Sequence, residues 1–218
     1  MAKTGQKEYM KIAIIGAGNV GTALGRGWGK AGHQIIYGVR KPQDEKANAL
    51  RTAQPKAEVA STRDAAQGSE IIVLCTPWDA TEAAIRDCGD LSGKILIDAT
   101  NPLKADFSGL DRGYTTSGAE QVAQWAKAAH VFKAMNQVGA NLMDHPCFSS
   151  GIKPVMFVAG DGDQKNTVLQ LVEQLGFEAI DAGGLAKARL LEPLAMLWIH
   201  LALVQGQRRD FAFGLLRQ

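Results

Sequence analysis

A glycine-rich turn between an apolar strand and a helix is the clearest chemical feature of the chain. The apolar run over residues 11–15 leads directly into a G-x-G-x-x-G sequence. Its residues are Gly16, Ala17, Gly18, Asn19, Val20 and Gly21. In such a turn Gly16 permits the tight bend, Gly18 lets a phosphate approach the main chain, and Gly21 lets the helix pack closely on the strand. Free N–H groups and the helix dipole favour an anion there, so the turn is predicted to bind the pyrophosphate of a dinucleotide.

The end of the second predicted strand indicates which dinucleotide binds. Enzymes that use NAD place an Asp or Glu about twenty residues after the first glycines, where it binds the ribose 2′-hydroxyl. Here the strand ends at Val39 and is followed by Arg40 and Lys41. A guanidinium can bind a 2′-phosphate through paired charge-assisted hydrogen bonds, whereas a carboxylate would repel it. We therefore predict NADP as the cofactor; the alternative is that Arg40 and Lys41 are only solvent-exposed charges before a helix.

Strands and helices alternate along the chain, which predicts an α/β fold of the doubly wound Rossmann type, with a parallel sheet and helices on both faces. Predicted strands cover residues 11–15, 34–39, 58–61, 71–75, 94–98, 131–135, 155–159 and 178–181. The domain organisation follows from this pattern. Residues 1–10 are predicted to be a polar tail, 11–182 the NADP-binding domain, and 183–218 a C-terminal helical segment that completes the substrate cleft and can form a dimer interface.

Ligands of an open parallel sheet bind beyond the carboxyl ends of its strands, where the strand order reverses. Besides the glycine-rich turn, this description fits residues 76–78, 101–103 and 136–140. We expect these three segments to surround the nicotinamide and whatever lies against it. In the first of them, Thr76 and Pro77 are assigned to the cofactor and Trp78 to the substrate.

No side chain in these segments is an evident catalytic acid or base, and we assign no catalytic residue. Lys133 lies within a strand, where we expect it to face a helix or solvent, and Asp98 ends a strand, where we expect it to bond a neighbouring loop. Reduction of a carbonyl or imine normally requires a positioned proton donor. Hydride transfer between two carrier rings depends mainly on distance and alignment. The chain is therefore predicted to transfer a hydride between the nicotinamide and a second planar redox ring.

The composition excludes several other classes of protein. Hydrophobic residues make up 46% of the 218 residues, and the net charge of +2 gives no indication of nucleic-acid binding. No apolar run reaches the roughly 18 residues of a membrane helix, and residues 1–10 lack the apolar core of a signal peptide. Three scattered cysteines support neither a disulfide framework nor a metal site. We expect a cytoplasmic protein whose partner is a small redox molecule, with no nucleic-acid or membrane partner.

The segment over residues 190–204 is apolar except for Glu192, Pro193 and His200. A helix that is apolar on every face must be buried on every face. We expect it either to fill a cleft in its own chain or to pack against a second subunit, and a homodimer is the simpler arrangement.

Five stretches together resemble the coenzyme F420-dependent NADP oxidoreductases. They are GAGNVG at 16–21, GVR at 38–40, TPW at 76–78, KAMNQVGA at 133–140 and DAGG at 181–184. The resemblance extends over essentially the whole chain from Lys11, and the reductase domain of the STEAP metalloreductases is similar as well. It implies an NADP-dependent oxidoreductase whose second substrate is the deazaflavin F420 or a flavin-like acceptor.

The resemblance also implies roles for individual residues. Residues 17–20 would contact the pyrophosphate, and Val39 and Arg40 would face the 2′-phosphate. The nicotinamide and its ribose would be lined by Thr76, Asn101, Leu103 and Ala140. The second ring would lie near Asn136, Val138 and Phe211. Two of these positions differ from the family pattern, because Val39 replaces the Ser of the archaeal enzymes and Asn136 replaces a His.

Two other functions compete with this interpretation. An imine or carbonyl reductase of the pyrroline-carboxylate reductase type shares the first half of the pattern but adds a large helical domain. Residues 182–218 are too few for such a domain. A sensor that binds NADPH without turnover is the alternative that is not an enzyme.

Overall fold

The structure, a computed structural model, describes residues 9–218, which form one sheet with helices on both faces. Its strands are β1 Lys11–Ile15, β2 Gln34–Val39, β3 Glu58–Ser61, β4 Ile71–Leu74, β5 Ile95–Asp98, β6 His130–Lys133, β7 Val155–Gly160 and β8 Glu178–Gly183. Its α-helices are α1 Asn19–Ala31, α2 Glu45–Ala53, α3 Thr62–Gln67, α4 Trp78–Cys88, α5 Gly118–Trp125, α6 Lys165–Gln174 and α7 Ala188–Ile199. Short 3₁₀ turns cover Ala140–Leu142 and Leu185–Lys187, and a π-helical turn, His200–Val204, continues α7. Residues 1–8 of the predicted polar tail lie outside the described residues.

The strand order is β3-β2-β1-β4-β5-β6-β7-β8, and pairing is parallel from β3 through β6. This confirms the α/β fold, with one difference from the predicted all-parallel sheet. Strand β7 runs antiparallel to β6, and β8 runs parallel to β7. Between β6 and β7 the structure has a 3₁₀ turn and no crossover helix, and a parallel connection usually needs such a helix. Residues 134–154 therefore stay at the carboxyl edge of the parallel strands.

Two apolar layers cover the two faces of the sheet. Leu24 and Trp28 of α1 pack with Val172 of α6 on one face. On the other face, Ile85 of α4 and Val122 of α5 pack over strands β4 and β5. The strands in the middle of the sheet are buried on both faces, which explains their continuous apolar runs.

The C-terminal helix is not buried on every face within its own chain, so the alternative that it fills a cleft there is wrong, while its packing against a second subunit stays a prediction. Its residues Leu191, Glu192, Ala195 and Trp198 are buried. The opposite side is exposed at Leu190, Leu197, Leu203 and Val204. One chain covers only the side that meets the sheet and α5, so the other side has no cover from residues 9–218. In that part of the chain, no helix combines the length and the apolar character needed to cross a membrane.

Candidate functional site

Four loops meet along the carboxyl edge of the parallel strands, as predicted. The strands pair in parallel register, so that Ile15 lies beside Leu74, Leu74 beside Asp98, and Asp98 beside Lys133. The loops that follow them cover residues 16–18, 75–77, 99–117 and 134–139. Because β2 and β4 lie on opposite sides of β1, the strand order reverses here. An open α/β sheet binds its ligand at such a reversal. We refer to these loops together as the rim.

The glycine-rich turn has the geometry of a dinucleotide site. Gly16 has a φ of +106°, and a Cβ there would lie 2.8 Å from the Cys75 carbonyl oxygen. Gly21 could not carry a Cβ either, because it would overlap the Gly16 carbonyl oxygen. Around Gly18, in contrast, no atom of the described chain outside residues 17–19 lies within 4 Å of an ideal Cβ. Gly18 thus leaves an open space against the main chain, which suits a pyrophosphate.

The start of α1 is available to an anion, because its N-cap residue is Gly18, which has no side chain. Three other helices begin differently. The side chains of Asp44, Ser61 and Ser117 accept hydrogen bonds from main-chain N–H groups of α2, α3 and α5. Main-chain N–H groups at a helix start need an acceptor. At α1 a bound phosphate can supply it, so the residues present fit the predicted pyrophosphate.

Arg40 and Lys41 follow Val39 at the end of β2, and both side chains are exposed. Within residues 9–218, neither of them forms a salt bridge or a side-chain hydrogen bond. Val39 is half-buried beside Ser61 of β3. Two exposed basic side chains without such a partner therefore lie at the end of the strand beside β1, and their contact with a 2′-phosphate stays a prediction.

The loop after β4 presents its three predicted residues in different ways. Thr76 is half-buried, and its hydroxyl bonds a threonine hydroxyl within α4 at 2.9 Å. Pro77 is exposed and precedes α4 directly. The Trp78 ring lies 5.4 Å from the Trp125 ring, measured between centroids, and the Arg112 guanidinium lies 5.7 Å from its centroid. These contacts hold the indole of Trp78 in place beside the rim.

Asn101 and Asn136 join two loops of the rim. Asn136 Nδ2 donates to Asn101 Oδ1 at 3.0 Å, and Asn101 Nδ2 donates to the Asn136 carbonyl at 3.0 Å. Asn136 is 5% exposed, and its Oδ1 accepts from Gln137 Nε2 at 2.9 Å. The contact of Asn136 with the second ring stays a prediction. Its observed hydrogen bonds hold the side chain of Asn101 in position. Leu103 is half-buried and forms an isolated antiparallel β-bridge with Leu110, at the start of the long loop over residues 104–117.

The end of the chain returns to the loop after β6. Trp198 Nε1 donates to the Phe211 carbonyl at 2.9 Å, and the two rings stack with centroids 5.3 Å apart. The same indole lies against Gly139, where a Cβ would approach it to 2.7 Å. Phe211 is therefore brought close to Val138 and Ala140. Val138 is buried, whereas Ala140 and Phe211 are half-buried.

A fully buried ionic cluster lies directly beneath the rim. Lys133 Nζ contacts Asp98 Oδ2 at 2.8 Å, Glu192 Oε1 at 3.0 Å and the Thr100 carbonyl at 2.6 Å. Burial by itself lowers the pKa of Lys133, but the carboxylates of Asp98 and Glu192 outweigh it and raise the pKa above its usual value. The two carboxylates thus favour the protonated form of Lys133.

Comparison with known proteins now decides the family. A family model described as NADP oxidoreductase, coenzyme F420-dependent, matches residues 11–102. The F420-dependent NADP reductase of Methanothermobacter thermautotrophicus is 31% identical over 210 residues, which covers 88% of this chain and 89% of that protein. The chain belongs to the F420-dependent NADP oxidoreductase family. It is an NADP-dependent oxidoreductase.

Two further relatives agree with this family. A candidate F420-dependent NADP reductase of Arthrobacter sp. FB24, known from a crystal structure, is 31% identical and superimposes with a TM-score of 0.87. The match covers 95% of this chain and 100% of that one. The metalloreductase STEAP3 of Rattus norvegicus is 28% identical over 197 residues, covering 88% of this chain but only 38% of that protein.

The ionic cluster around Lys133 was not predicted from the sequence of this F420-dependent NADP oxidoreductase family member. We expected Lys133 to face a helix or solvent; it does face α7, but it is fully buried between two carboxylates. Asp98 bonds the following loop, as expected. A signal was present, because Glu192 is the one acidic residue in the apolar run 190–204. Such a charge needs a buried partner.

Proposed function

We propose that this chain transfers a hydride between NADP(H) and coenzyme F420. The observation that carries the proposal is the 31% identity to an F420-dependent NADP reductase along nearly the full length of both proteins. The replacement of the family's His by Asn136 does not oppose it. Asn136 is almost completely buried and bonds Asn101, so the difference bears first on the loop and not on the ring that accepts the hydride.

The rim and the residues around it have separate tasks in this reaction. Gly18 and the start of α1 bind the pyrophosphate, and Arg40 binds the 2′-phosphate. Asn101 lies on one of two loops that the Asn101–Asn136 bonds hold together, and Ala140 directly follows the other. These loops line the nicotinamide. Trp78 and Phe211 offer aromatic surface to the second ring.

The protein has to align two rings and need not donate a proton to either. When bound, NADPH supplies the hydride from its nicotinamide C4, and the acceptor gains that hydride and a proton from water. Lys133 cannot serve as the acid, because its three N–H groups all have acceptors and it is fully buried. This favours transfer between carriers over imine or carbonyl reduction, which normally needs a positioned donor.

Anaerobic NADPH oxidation with different acceptors tests the proposal. Purified protein should oxidise NADPH with F420, and C4-deuterated NADPH should pass its label to the deazaflavin ring. Riboflavin, FMN, FAD and a cyclic imine are the comparison substrates. Faster turnover with a flavin or the imine would overturn the assignment to F420. Tight NADPH binding with no turnover on any acceptor would favour the sensor.

We also propose that the exposed side of α7 binds a second copy of this chain. Leu190 and Leu197 are 66% and 48% exposed, and they lie on the same side of the helix because they are two turns apart. Leu203 and Val204 extend the apolar surface. A surface of this kind rarely stays open to water. It carries no charge, so an identical apolar surface related by two-fold symmetry suits it.

A further inference from the structure

We infer that Lys133 is a positioning residue for the nicotinamide, acting through the main chain at Thr100. The inference rests on the proposed function, since it names the residue that holds one of the loops lining the nicotinamide. Lys133 is not open to a ligand bound on the rim, because its side chain is completely buried; it contacts the rim only from beneath, at the Thr100 carbonyl. Its effect on the reaction must therefore pass through the groups that it binds.

Lys133 binds acceptors from three separate parts of the chain. They are Asp98 of β5, Glu192 of α7 and the carbonyl of Thr100, at 2.8, 3.0 and 2.6 Å respectively. A lysine ammonium has three N–H donors. All three are used here, so the group is held in one orientation and has no proton left to give.

Thr100 is held at three points by the same cluster. Asp98 Oδ1 accepts from the Thr100 main-chain N–H at 2.9 Å and from its hydroxyl at 2.6 Å. Lys133 takes the third point, the Thr100 carbonyl. The next residue is Asn101, which begins the segment that lines the nicotinamide. The position of that segment is therefore set by Lys133 and Asp98 together.

Glu192 connects this cluster to helices α5 and α7. Its carboxylate accepts from the N–H groups of Gly118 and Ala119 at 2.8 and 3.0 Å, at the start of α5. The helix dipole of α5 favours this negative charge. Each buried charge thus has partners, yet buried ion pairs add little stability compared with apolar residues of similar volume. The stability of the fold therefore does not explain why this cluster lies against the rim. Control of the position of the loop after β5 does explain it.

The test uses a variant that removes a cation and an anion together, Lys133→Met with Asp98→Asn. The amide oxygen introduced at position 98 can still accept from the Thr100 N–H, while the bond to the Thr100 carbonyl is lost. Lys165→Met is the matched control. Lys165 Nζ likewise binds a carboxylate and a carbonyl, those of Asp181 and Gly183, at 2.8 and 3.1 Å. That pair joins α6 to β8, which β7 separates from β6 in the sheet.

We expect the double variant to lose about tenfold or more in turnover, since a misplacement of about 1 Å can cost roughly 100-fold. Its affinity for 2′,5′-ADP, which lacks the nicotinamide, should stay within about twofold of wild type, because the pyrophosphate and 2′-phosphate sites are unchanged. Nicotinamide fluorescence of bound NADPH should change, and hydrogen exchange over residues 99–103 should become faster without ligand. Lys165→Met should match wild type in all four measurements.

A folded double variant with wild-type turnover and wild-type exchange over residues 99–103 would overturn the inference. If the wild type turns over no acceptor, the proposed function fails, while the fluorescence and exchange measurements still decide the role of Lys133. If the double variant does not fold, Thr100→Val keeps every charge and removes only the hydroxyl bond to Asp98. Faster exchange over residues 99–103 together with a loss of several-fold in turnover, at unchanged 2′,5′-ADP affinity, would support the inference, and faster exchange with unchanged turnover would overturn it.

Discussion

Gly18 and Gly21 lie three residues apart in one turn, yet their missing side chains have opposite surroundings. A Cβ at Gly21 would overlap the Gly16 carbonyl oxygen, whereas a Cβ at Gly18 would have no atom of the described chain outside residues 17–19 within 4 Å. Gly18 has a φ of −80°, which any residue can adopt. The fold therefore requires glycine at position 21, and only an approaching ligand requires it at position 18.

Substitution of these two glycines should separate folding from binding. Gly18→Val should cost at most about 1 kcal/mol of stability, as for a less favourable N-cap, and should abolish NADPH binding. Gly21→Ala should cost about 2–3 kcal/mol through overpacking. Urea denaturation gives the free energy of unfolding, and NADPH fluorescence titration gives the affinity. A Gly18→Val protein that binds NADPH normally would show that this turn does not bind the pyrophosphate.

Arg40 should determine the preference for NADPH over NADH. Arg40→Ala should weaken NADPH binding by about 1.5–3 kcal/mol, roughly tenfold to 150-fold, which is typical of a hydrogen bond to a charged group. NADH binding should barely change, because NADH lacks the 2′-phosphate. The control is Arg86→Ala, since Arg86 is exposed on α4 and pairs with Glu82 at 3.2 Å. Equal loss for both dinucleotides would contradict the assignment.

The exposed side of α7 should control the oligomeric state. Leu190→Glu with Leu197→Asp places two negative charges on each copy, so a dimer formed through this surface should dissociate. Both side chains are exposed within the single chain, so the monomer should still melt cooperatively. Light scattering at micromolar concentration measures the mass. Leu216→Asp is the control, because Leu216 is 81% exposed and lies outside α7. A monomeric wild type would refute the dimer.

Phe211 should contribute to acceptor binding and not to NADPH binding. Phe211→Ala should lower kcat/KM for the acceptor about fivefold, corresponding to about 1 kcal/mol for one aromatic contact. NADPH affinity should be unchanged. Phe213→Ala is the matched control, since its half-buried ring lies 6.2 Å from the Phe211 ring, and its carbonyl bond to the Val155 N–H does not need the side chain. Equal effects of both variants would place the acceptor elsewhere.

Ionisation of Tyr37 should lower the free energy of unfolding at alkaline pH. Burial raises the pKa of Tyr37 from 10.0 to about 12, although its bond to Gln54 partly opposes the shift. Between about pH 10 and 12 the folded state therefore keeps a proton that the unfolded state has lost. Stability is fully present below pH 10 and decreases as the pH rises towards 12. Urea midpoints at about pH 8 and pH 11 should show a smaller decrease for Tyr37→Phe than for wild type. Identical pH dependence would contradict this.

The sequence by itself determined the strands, most of the helices and the glycine-rich turn that is predicted to bind the pyrophosphate. These features depend on patterns within a few residues, such as the apolar run at 11–15 followed by the glycines at 16, 18 and 21. The meeting of four loops at one edge also followed from the sequence, because parallel strands bring their carboxyl ends together. The direction of β7 did not follow, since it depends on the path of the chain over residues 134–154.

Only the tertiary structure decided which polar groups are buried and which apolar ones are exposed. Lys133 is surrounded by Asp98, 35 residues earlier, and by Glu192, on a helix near the end of the chain. Asn136 is covered because Asn101 and α7 pack against it. Leu197 is exposed because nothing in residues 9–218 covers that side of α7. The surroundings of a side chain come from segments far apart in the sequence, and local patterns carry no information about which distant segments will meet.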